Sequence, residues 1–228
     1  MVRFVVLAFG ITWLLVMPLV LARAGVGPAV PSWLHGLGAL GPLLAAYWSP
    51  RDHGLFETRE RPVMTPAWVT VSLLTPALFT LIALAVVAWG GTPVVGPLWA
   101  AAGQPAWWLD LAVGSLLYGF GEEPGWRGWL LPHLEQRHTA LGATLLLAPI
   151  WAAWHAPFFF YRFDFGGVGT VVGFFSGLLA GAFWLTFLFN CTGRSVKVVA
   201  GWHVLWNVAN IGLAAVSTTA VEHQLKNL

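Results

Sequence analysis

The chain has 228 residues, of which 58% are apolar or aromatic and only 9% are charged. Globular domains carry about 25% charged residues, so this composition excludes a water-soluble domain. Eleven basic and nine acidic residues give a net charge of +2. The basic residues form no stripe along the sequence that could follow a phosphate backbone, so a nucleic acid is not an expected partner. Cys191 is the only cysteine, so an intramolecular disulfide is excluded and a cysteine-ligated metal site is not expected.

Long apolar runs, most of them without a charged residue, dominate the chain and predict its fold. Each run is close to the ~20 residues that a helix needs to cross the core of a bilayer. The runs are 4–22, 32–49, 66–90, 107–121 continuing into 122–137, 140–160, 167–190 and 197–218. We therefore predict an all-α fold, a polytopic transmembrane helix bundle of about seven spans within a range of six to eight. Three N-terminal spans fall in 1–106, a helical core that carries the functional groups in 107–218, and a tail in 219–228.

The basic residues predict how the bundle is oriented. Eight of the eleven lie on one side of the predicted spans, and the opposite side has only Arg23, Arg162 and Lys226. The positive-inside rule places the N-terminus and the helix end near His133–His138 in the cytoplasm. Seven spans then leave the C-terminus outside. We expect an integral protein of a bacterial or archaeal cell membrane, with the active-site opening on the cytoplasmic side.

Charged residues inside membrane helices are costly and mark functional sites, so the polar residues within the apolar runs identify the candidate site. Glu122 and Glu123 are followed by Pro124, which predicts a helix break with a new helix starting near the proline. The positive N-terminus of that helix would partly offset the burial of the carboxylates. Glu123 and Arg127 are spaced to form an i,i+4 pair, which leaves Glu122 available as a general base. The alternative is a structural ion pair beside a glutamate that faces a water-filled crevice.

Two later runs each contribute polar groups. Trp151 precedes His155 by one turn and can pack on the imidazole, although such a histidine is often satisfied by a backbone carbonyl instead. His203 and Asn207 share one helix face and can donate together to a ligand oxygen. The alternative for this last pair is helix–helix adhesion, which asparagine and histidine commonly supply in membranes.

Three further polar residues, His35, Asp110 and Asn210, have no such partners in the sequence. We interpret His35 and Asp110 as structural, because His35 lies at the start of its run and Asp110 follows two tryptophans at the expected membrane boundary.

The three motifs together resemble a known family. Glu122, Glu123 and Arg127 resemble an EExxxR motif, Trp151 to His155 resembles FxxxH, and His203 to Asn207 resembles HxxxN. Their order and spacing over residues 107–210 are similar to those of the CPBP family, the CAAX-protease and bacteriocin-processing membrane proteins, also called Abi. The chain departs from the pattern in having Trp151 in place of phenylalanine and Pro124 with Gly125 in place of two apolar residues.

The resemblance implies an intramembrane endopeptidase. It implies that Glu122 and His155 activate water, that His203 and Asn207 form the oxyanion hole, and that Glu123 and Arg127 hold the site together. In eukaryotic and archaeal members the substrate is a prenylated protein with a C-terminal CAAX box. A bacteriocin leader, a peptide pheromone or a membrane-anchored regulator would fit a bacterial member equally well. Membrane lipid and a peptide or protein substrate are thus the expected partners.

The sequence allows alternatives for the role of a metal ion and for the class of function. Glu122, His155 and His203 are the side chains that would ligate a catalytic zinc, but the chain lacks HExxH, and we favour a mechanism without a cofactor. A non-catalytic immunity or scaffold protein is one competing function, although all the motif residues are retained. A proton-coupled transporter with Glu122 as carrier is another, and would need a polar path across the whole bilayer.

Overall fold

A computed structural model describes residues 1–51, 54–56, 62–91, 93–163 and 167–226. Arg59 and Arg61, which contribute to the predicted orientation, lie outside the described residues, as do the side chains of Asp110 and Lys226.

Helices form most of the described chain, and the described residues contain no β-strand. The helices are α1 (Val2–Arg23), α2 (Leu40–Tyr47), α3 (Pro66–Trp89), α4 (Val95–Ala102), α5 (Pro105–Leu109), α6 (Ser115–Gly125), α7 (Leu131–Glu135), α8 (Ala140–Trp154), α9 (Val168–Cys191) and α10 (Val196–Lys226). Short 3-10 segments cover Ser32–Ala39 and Ala156–Phe160, and π-helical segments cover Asp110–Gly114 and Trp126–Leu130.

Four of the described helical segments are long and apolar enough to cross a membrane, namely α1, α3, α9 and Ala140–Phe160, which comprises α8 and the 3-10 segment after it. All four coincide with predicted apolar runs. The predicted all-α membrane bundle is therefore confirmed. The region predicted as a tail continues α10 as helix up to Lys226.

The predicted helix break at Pro124 is wrong. Helix α6 runs through Pro124 to Gly125 and continues as the π-helical segment Trp126–Leu130 into α7. Proline removes a backbone donor, and a wider π turn is one way in which a helix absorbs such a defect without ending. Glu122 and Glu123 consequently lie within a continuous helical rod rather than at a helix N-terminus. Their burial has to be compensated by side chains.

Glycines on α6 allow its neighbours to approach the carboxylates closely. A Cβ atom on Gly121 would lie 2.5 Å from the carbonyl oxygen of Ala39, next to α2. A Cβ atom on Gly119 would lie 2.6 Å from the carbonyl oxygen of Ala200 on α10. Small residues at helix interfaces let backbones pack this tightly in membranes. The acidic segment is thereby held between α2 and α10.

Cross-helix hydrogen bonds fix α1 against the end of α8. Thr12 Oγ1 donates to the carbonyl oxygen of Gly38 over 2.7 Å, and Trp154 Nε1 donates to Thr12 Oγ1 over 2.8 Å. Trp13 Nε1 donates in turn to the carbonyl oxygen of Trp154 over 3.2 Å. In an apolar environment these buried groups need such partners. They position the helix end that carries His155.

The tight contact at Gly121 can be tested by Gly121→Ala. The added methyl group collides with the backbone of Ala39, so we expect the free energy of unfolding in mild detergent to fall by about 1–3 kcal/mol, as in overpacked cores. Gly177→Ala on α9 is the control, because its added Cβ meets no described atom within 4 Å beyond its chain neighbours and the nearby backbone of its own helix. Equal stability of the two variants would contradict the close packing.

Candidate active site

The three motifs meet inside the bundle. Glu122 on α6 is 1% exposed, and its Oε2 atom accepts two indole hydrogen bonds. Trp151 Nε1 of α8 donates over 2.6 Å, and Trp126 Nε1, one turn after Glu122, donates over 3.1 Å. Both donors are uncharged. Glu122 is thus a buried acid that is oriented by neutral groups.

Glu123 has charged partners instead. Arg127 Nη1 lies 3.0 Å from Glu123 Oε1, and both side chains are fully buried. The ion pair expected from the i,i+4 spacing is therefore present. His203 Nδ1 of α10 lies 2.7 Å from the same Oε1 atom. Glu123 consequently joins α6 to α10, a contact that the sequence analysis did not anticipate.

The indole of Trp151 lies at the centre of these groups. The guanidinium of Arg127 is 4.5 Å from its ring centroid, at a distance typical of a cation–π contact. The ring centroids of His155 and His203 lie 5.7 Å and 6.2 Å away. Glu122 accepts the indole N–H. One side chain thus contacts members of all three motifs.

His155 lies at the C-terminal end of α8 and is oriented by its own helix. Its Nδ1 atom lies 2.8 Å from the carbonyl oxygen of Trp151. A carbonyl oxygen only accepts, so Nδ1 carries the hydrogen and Nε2 of the neutral ring has a lone pair. The rings of Trp154, Phe158 and Phe174 surround the imidazole. The available nitrogen is an acceptor, as proton transfer from water requires.

His203 and Asn207 present donors on the α10 side. Glu123 accepts from His203 Nδ1, so Nε2 is a second donor when the imidazole is protonated. Asn207 Nδ2 is buried and has no hydrogen-bond partner among the described residues. A buried amide without a protein partner retains a donor that a ligand oxygen could accept. The arrangement therefore favours the donor interpretation of Asn207.

A second polar cluster lies one helical turn before Glu122, and the sequence analysis missed it. His35 Nδ1 lies 2.6 Å from the Tyr161 hydroxyl, and His35 Nε2 lies 2.8 Å from the Tyr118 hydroxyl. The cluster joins the 3-10 segment before α2 to α6 and to the chain after α8. No local signal marks it, because these contacts span 126 and 83 positions. The contact of Trp126 with Glu122 was also missed, although its i,i+4 spacing was a readable signal.

The two other polar residues noted in the sequence are Asn210 and Asp110. Asn210 Nδ2 donates to the carbonyl oxygen of Trp206 in its own helix over 2.9 Å. We predict a structural role for Asp110, but its side chain lies outside the described residues.

The side chains that would ligate a zinc ion can be compared with the grouping that a metal site needs. In the part of the chain that the structure describes, no three histidine, cysteine, aspartate or glutamate side chains are grouped so that they could hold a metal ion. A catalytic zinc needs three convergent protein ligands. We therefore derive no step through a metal.

Comparison with known proteins bears on the family resemblance. Residues 104–209 match the model of the type II CAAX prenyl endopeptidase Rce1-like family. The match confirms the resemblance. It covers all the motif residues, from Glu122 to Asn207, and indicates a peptidase. With its four apolar helices, the chain is an integral membrane protein. No curated protein matches the chain significantly.

Removing the charge of Glu123 tests the buried ion cluster. In Glu123→Gln, Arg127 loses its buried counter-charge, so we expect the free energy of unfolding in detergent to fall by about 3–5 kcal/mol. Adding Arg127→Met removes the uncompensated charge and should restore part of the loss. Glu135→Gln is the control, because its partner Arg194 is 24% exposed and such pairs contribute less. Equal losses in both single variants would contradict a special role for the Glu123 cluster.

Proposed function

We propose that the protein is an intramembrane endopeptidase that hydrolyses a peptide bond near the membrane with a water activated by Glu122 and His155. The observation that carries this proposal concerns two groups on helices that pack together. Glu122 is a buried acid held by neutral donors, and the Nδ2 atom of Asn207 is buried without a partner among the described residues. A general base and an oxyanion donor are the two groups that metal-free peptide hydrolysis requires.

The proposed reaction proceeds in two proton transfers. Glu122, assisted by the lone pair of His155 Nε2, takes a proton from water while the water oxygen attacks the peptide carbonyl carbon. His203 Nε2–H and Asn207 Nδ2–H donate to the resulting oxyanion. When the C–N bond breaks, the stored proton passes to the leaving amine. The first products are a carboxylic acid and an amine, and the acid then ionises as the amine takes up that proton in water. The enzyme regains its starting state.

In this proposal Glu123 and Arg127 support the site without touching the substrate. The carboxylate of Glu123 holds His203 and balances its charge when the ring is protonated. Arg127 balances Glu123 and packs on Trp151. A displacement of about 1 Å in a catalytic group costs orders of magnitude in rate, so such support is part of catalysis.

We propose a peptide or membrane-anchored protein as the substrate, either prenylated with a CAAX-type end or unprenylated. The residues that hydrolyse the bond do not select between these classes. The deciding contacts would lie along the path by which the substrate enters between the helices.

Cleavage by the purified protein tests this proposal. Fluorogenic CAAX-type and unprenylated membrane peptides are incubated with wild type, and with Glu122→Gln, His155→Ala, His203→Ala and Asn207→Ala variants. Loss of the general base should reduce kcat by about 10²–10⁴-fold, and loss of the oxyanion donor Asn207 by about 10²–10³-fold. A chelator should leave the rate of the wild type unchanged.

Asn210→Ala is the matched control for Asn207→Ala, because Asn210 is exposed on the same helix and donates to its own backbone. It should cleave like wild type. Full activity of the Glu122 and His155 variants would refute the catalytic assignment. Loss of activity on chelation alone would establish a metalloenzyme, and a folded wild type without activity on any peptide would favour a scaffold.

We also propose that the N-terminus, the His133–His138 end and the site opening face the cytoplasm. His155 ends α8 about 22 Å from the start of that helix at Ala140, at 1.5 Å per residue. Access from the cytoplasmic end would therefore need a crevice of that depth along α8. Asn190, which precedes the single cysteine, donates to Glu135 over 2.7 Å, so Cys191 marks the same end of the bundle.

The orientation can be measured with Cys191 as the native reporter. A membrane-impermeant maleimide should label wild type in inside-out vesicles and not in right-side-out vesicles. In a Cys191→Ser background, Ala24→Cys at the exposed end of α1 should show the opposite pattern. The reverse result for both positions would invert the proposed orientation.

A further inference from the structure

The two indole groups on Glu122 have a consequence for the chemistry of its carboxylate. Trp151 and Trp126 both donate to Oε2, over 2.6 Å and 3.1 Å. Two donors on one oxygen fix the plane of the carboxylate and occupy the lone pairs of that atom. The other oxygen, Oε1, is left as the one with acceptor capacity for an incoming water. The two carboxylate oxygens are therefore not equivalent.

The partners of the neighbouring acid show why neutral donors matter. Glu123 Oε1 lies against Arg127 and His203, both of which can carry positive charge. Such partners orient a carboxylate but also neutralise it, which weakens it as a base. An indole N–H orients Glu122 while adding no formal charge. Orientation and charge balance are thus divided between two adjacent residues.

Resting on the proposed function, we propose that Trp126 and Trp151 are positioning residues that hold Oε2 of Glu122 and assign Oε1 as the atom that takes the proton from water. The water oxygen then forms its bond to the substrate carbonyl carbon, and the proton held on Oε1 later passes to the leaving amine. No further reactant is needed. The role extends beyond the family resemblance, in which position 151 is usually phenylalanine and has no N–H group.

Trp151 also packs on other groups of the site, so its hydrogen bond must be separated from its packing. Its ring face meets Arg127, and its edge lies near His203. Phenylalanine at this position keeps an aromatic face for these contacts and removes only the donor and part of the ring. The Trp151→Phe variant therefore isolates the hydrogen bond better than alanine does.

The kinetic test compares Trp151→Phe, Trp126→Phe and the double variant with wild type on a cleaved peptide. Loss of a hydrogen bond to a charged group should lower kcat by about tenfold to a hundredfold for Trp151, with KM unchanged. Trp126, at the longer distance, should show a smaller loss. Trp129→Phe is the matched control, because it lies on the same rod and its indole donates to the carbonyl oxygen of Pro50 instead. It should retain the wild-type kcat.

An NMR measurement tests the two indole hydrogen bonds to Glu122 independently of activity. With ¹⁵N-labelled tryptophan in detergent, the indole resonances of residues 126 and 151 are assigned by their loss in the two phenylalanine variants. Both should exchange slowly with solvent, and both should shift in Glu122→Ala, which removes the acceptor. The Trp129 resonance should stay in place. Stationary resonances of Trp126 and Trp151 in Glu122→Ala would overturn the proposal.

The outcomes separate this proposal from the proposed function. If wild type cleaves, Glu122→Gln does not, and Trp151→Phe matches wild type in kcat, the positioning role fails while the peptidase stands. If wild type cleaves nothing, the proposed function fails, and the indole resonances still decide whether the two tryptophans hold Glu122. A loss of kcat at constant KM together with the shifted resonances supports the proposal.

Discussion

Ionisable side chains buried in an apolar bundle must be compensated by one another, and this requirement organises the centre of the protein. Glu122, Glu123, Arg127 and His203 are all at most 6% exposed. With His203 protonated, two acids and two bases give a neutral cluster. In hydrocarbon an unpaired charge is far more costly than in water, so each member depends on the others. The sequence suggested two acids beside one base, and α10 supplies the missing partner.

The same cluster needs backbones that approach closely, and local sequence features of α6 provide this. Gly119 and Gly121 bring α10 and the end of the 3-10 segment against the acidic turn. The π-helical segment carries the rod past Pro124 and presents Trp126 and Arg127 one turn beyond the two acids. A helix broken at the proline would have lost this register. The close helix packing at the α6 glycines therefore lies beside the buried charges and helps to hold them together.

Trp151 links Arg127 to Glu122 and His155, the two groups proposed to activate water. Its N–H group reaches Glu122, its ring face covers Arg127, and its carbonyl oxygen orients His155. Each contact uses a different part of the residue, so the contacts do not compete. The substitution of tryptophan for the phenylalanine of the resembled motif adds a donor without removing an aromatic wall. This departure from the family pattern therefore gives Glu122 a hydrogen-bond donor that a phenylalanine side chain would not supply.

The sequence by itself determined the helical membrane bundle, the family resemblance and the Glu123–Arg127 pair, because apolar run length and i,i+4 spacing are local properties of one helix. It gave the wrong result at Pro124, where local propensity favoured a break and the packed rod absorbed the proline. Only the tertiary structure decided that Trp151 bonds Glu122 and that His203 bonds Glu123. These contacts join residues 29 and 80 positions apart on different helices. Helical periodicity shows which side chains share a face, but which faces meet depends on how all the helices pack together.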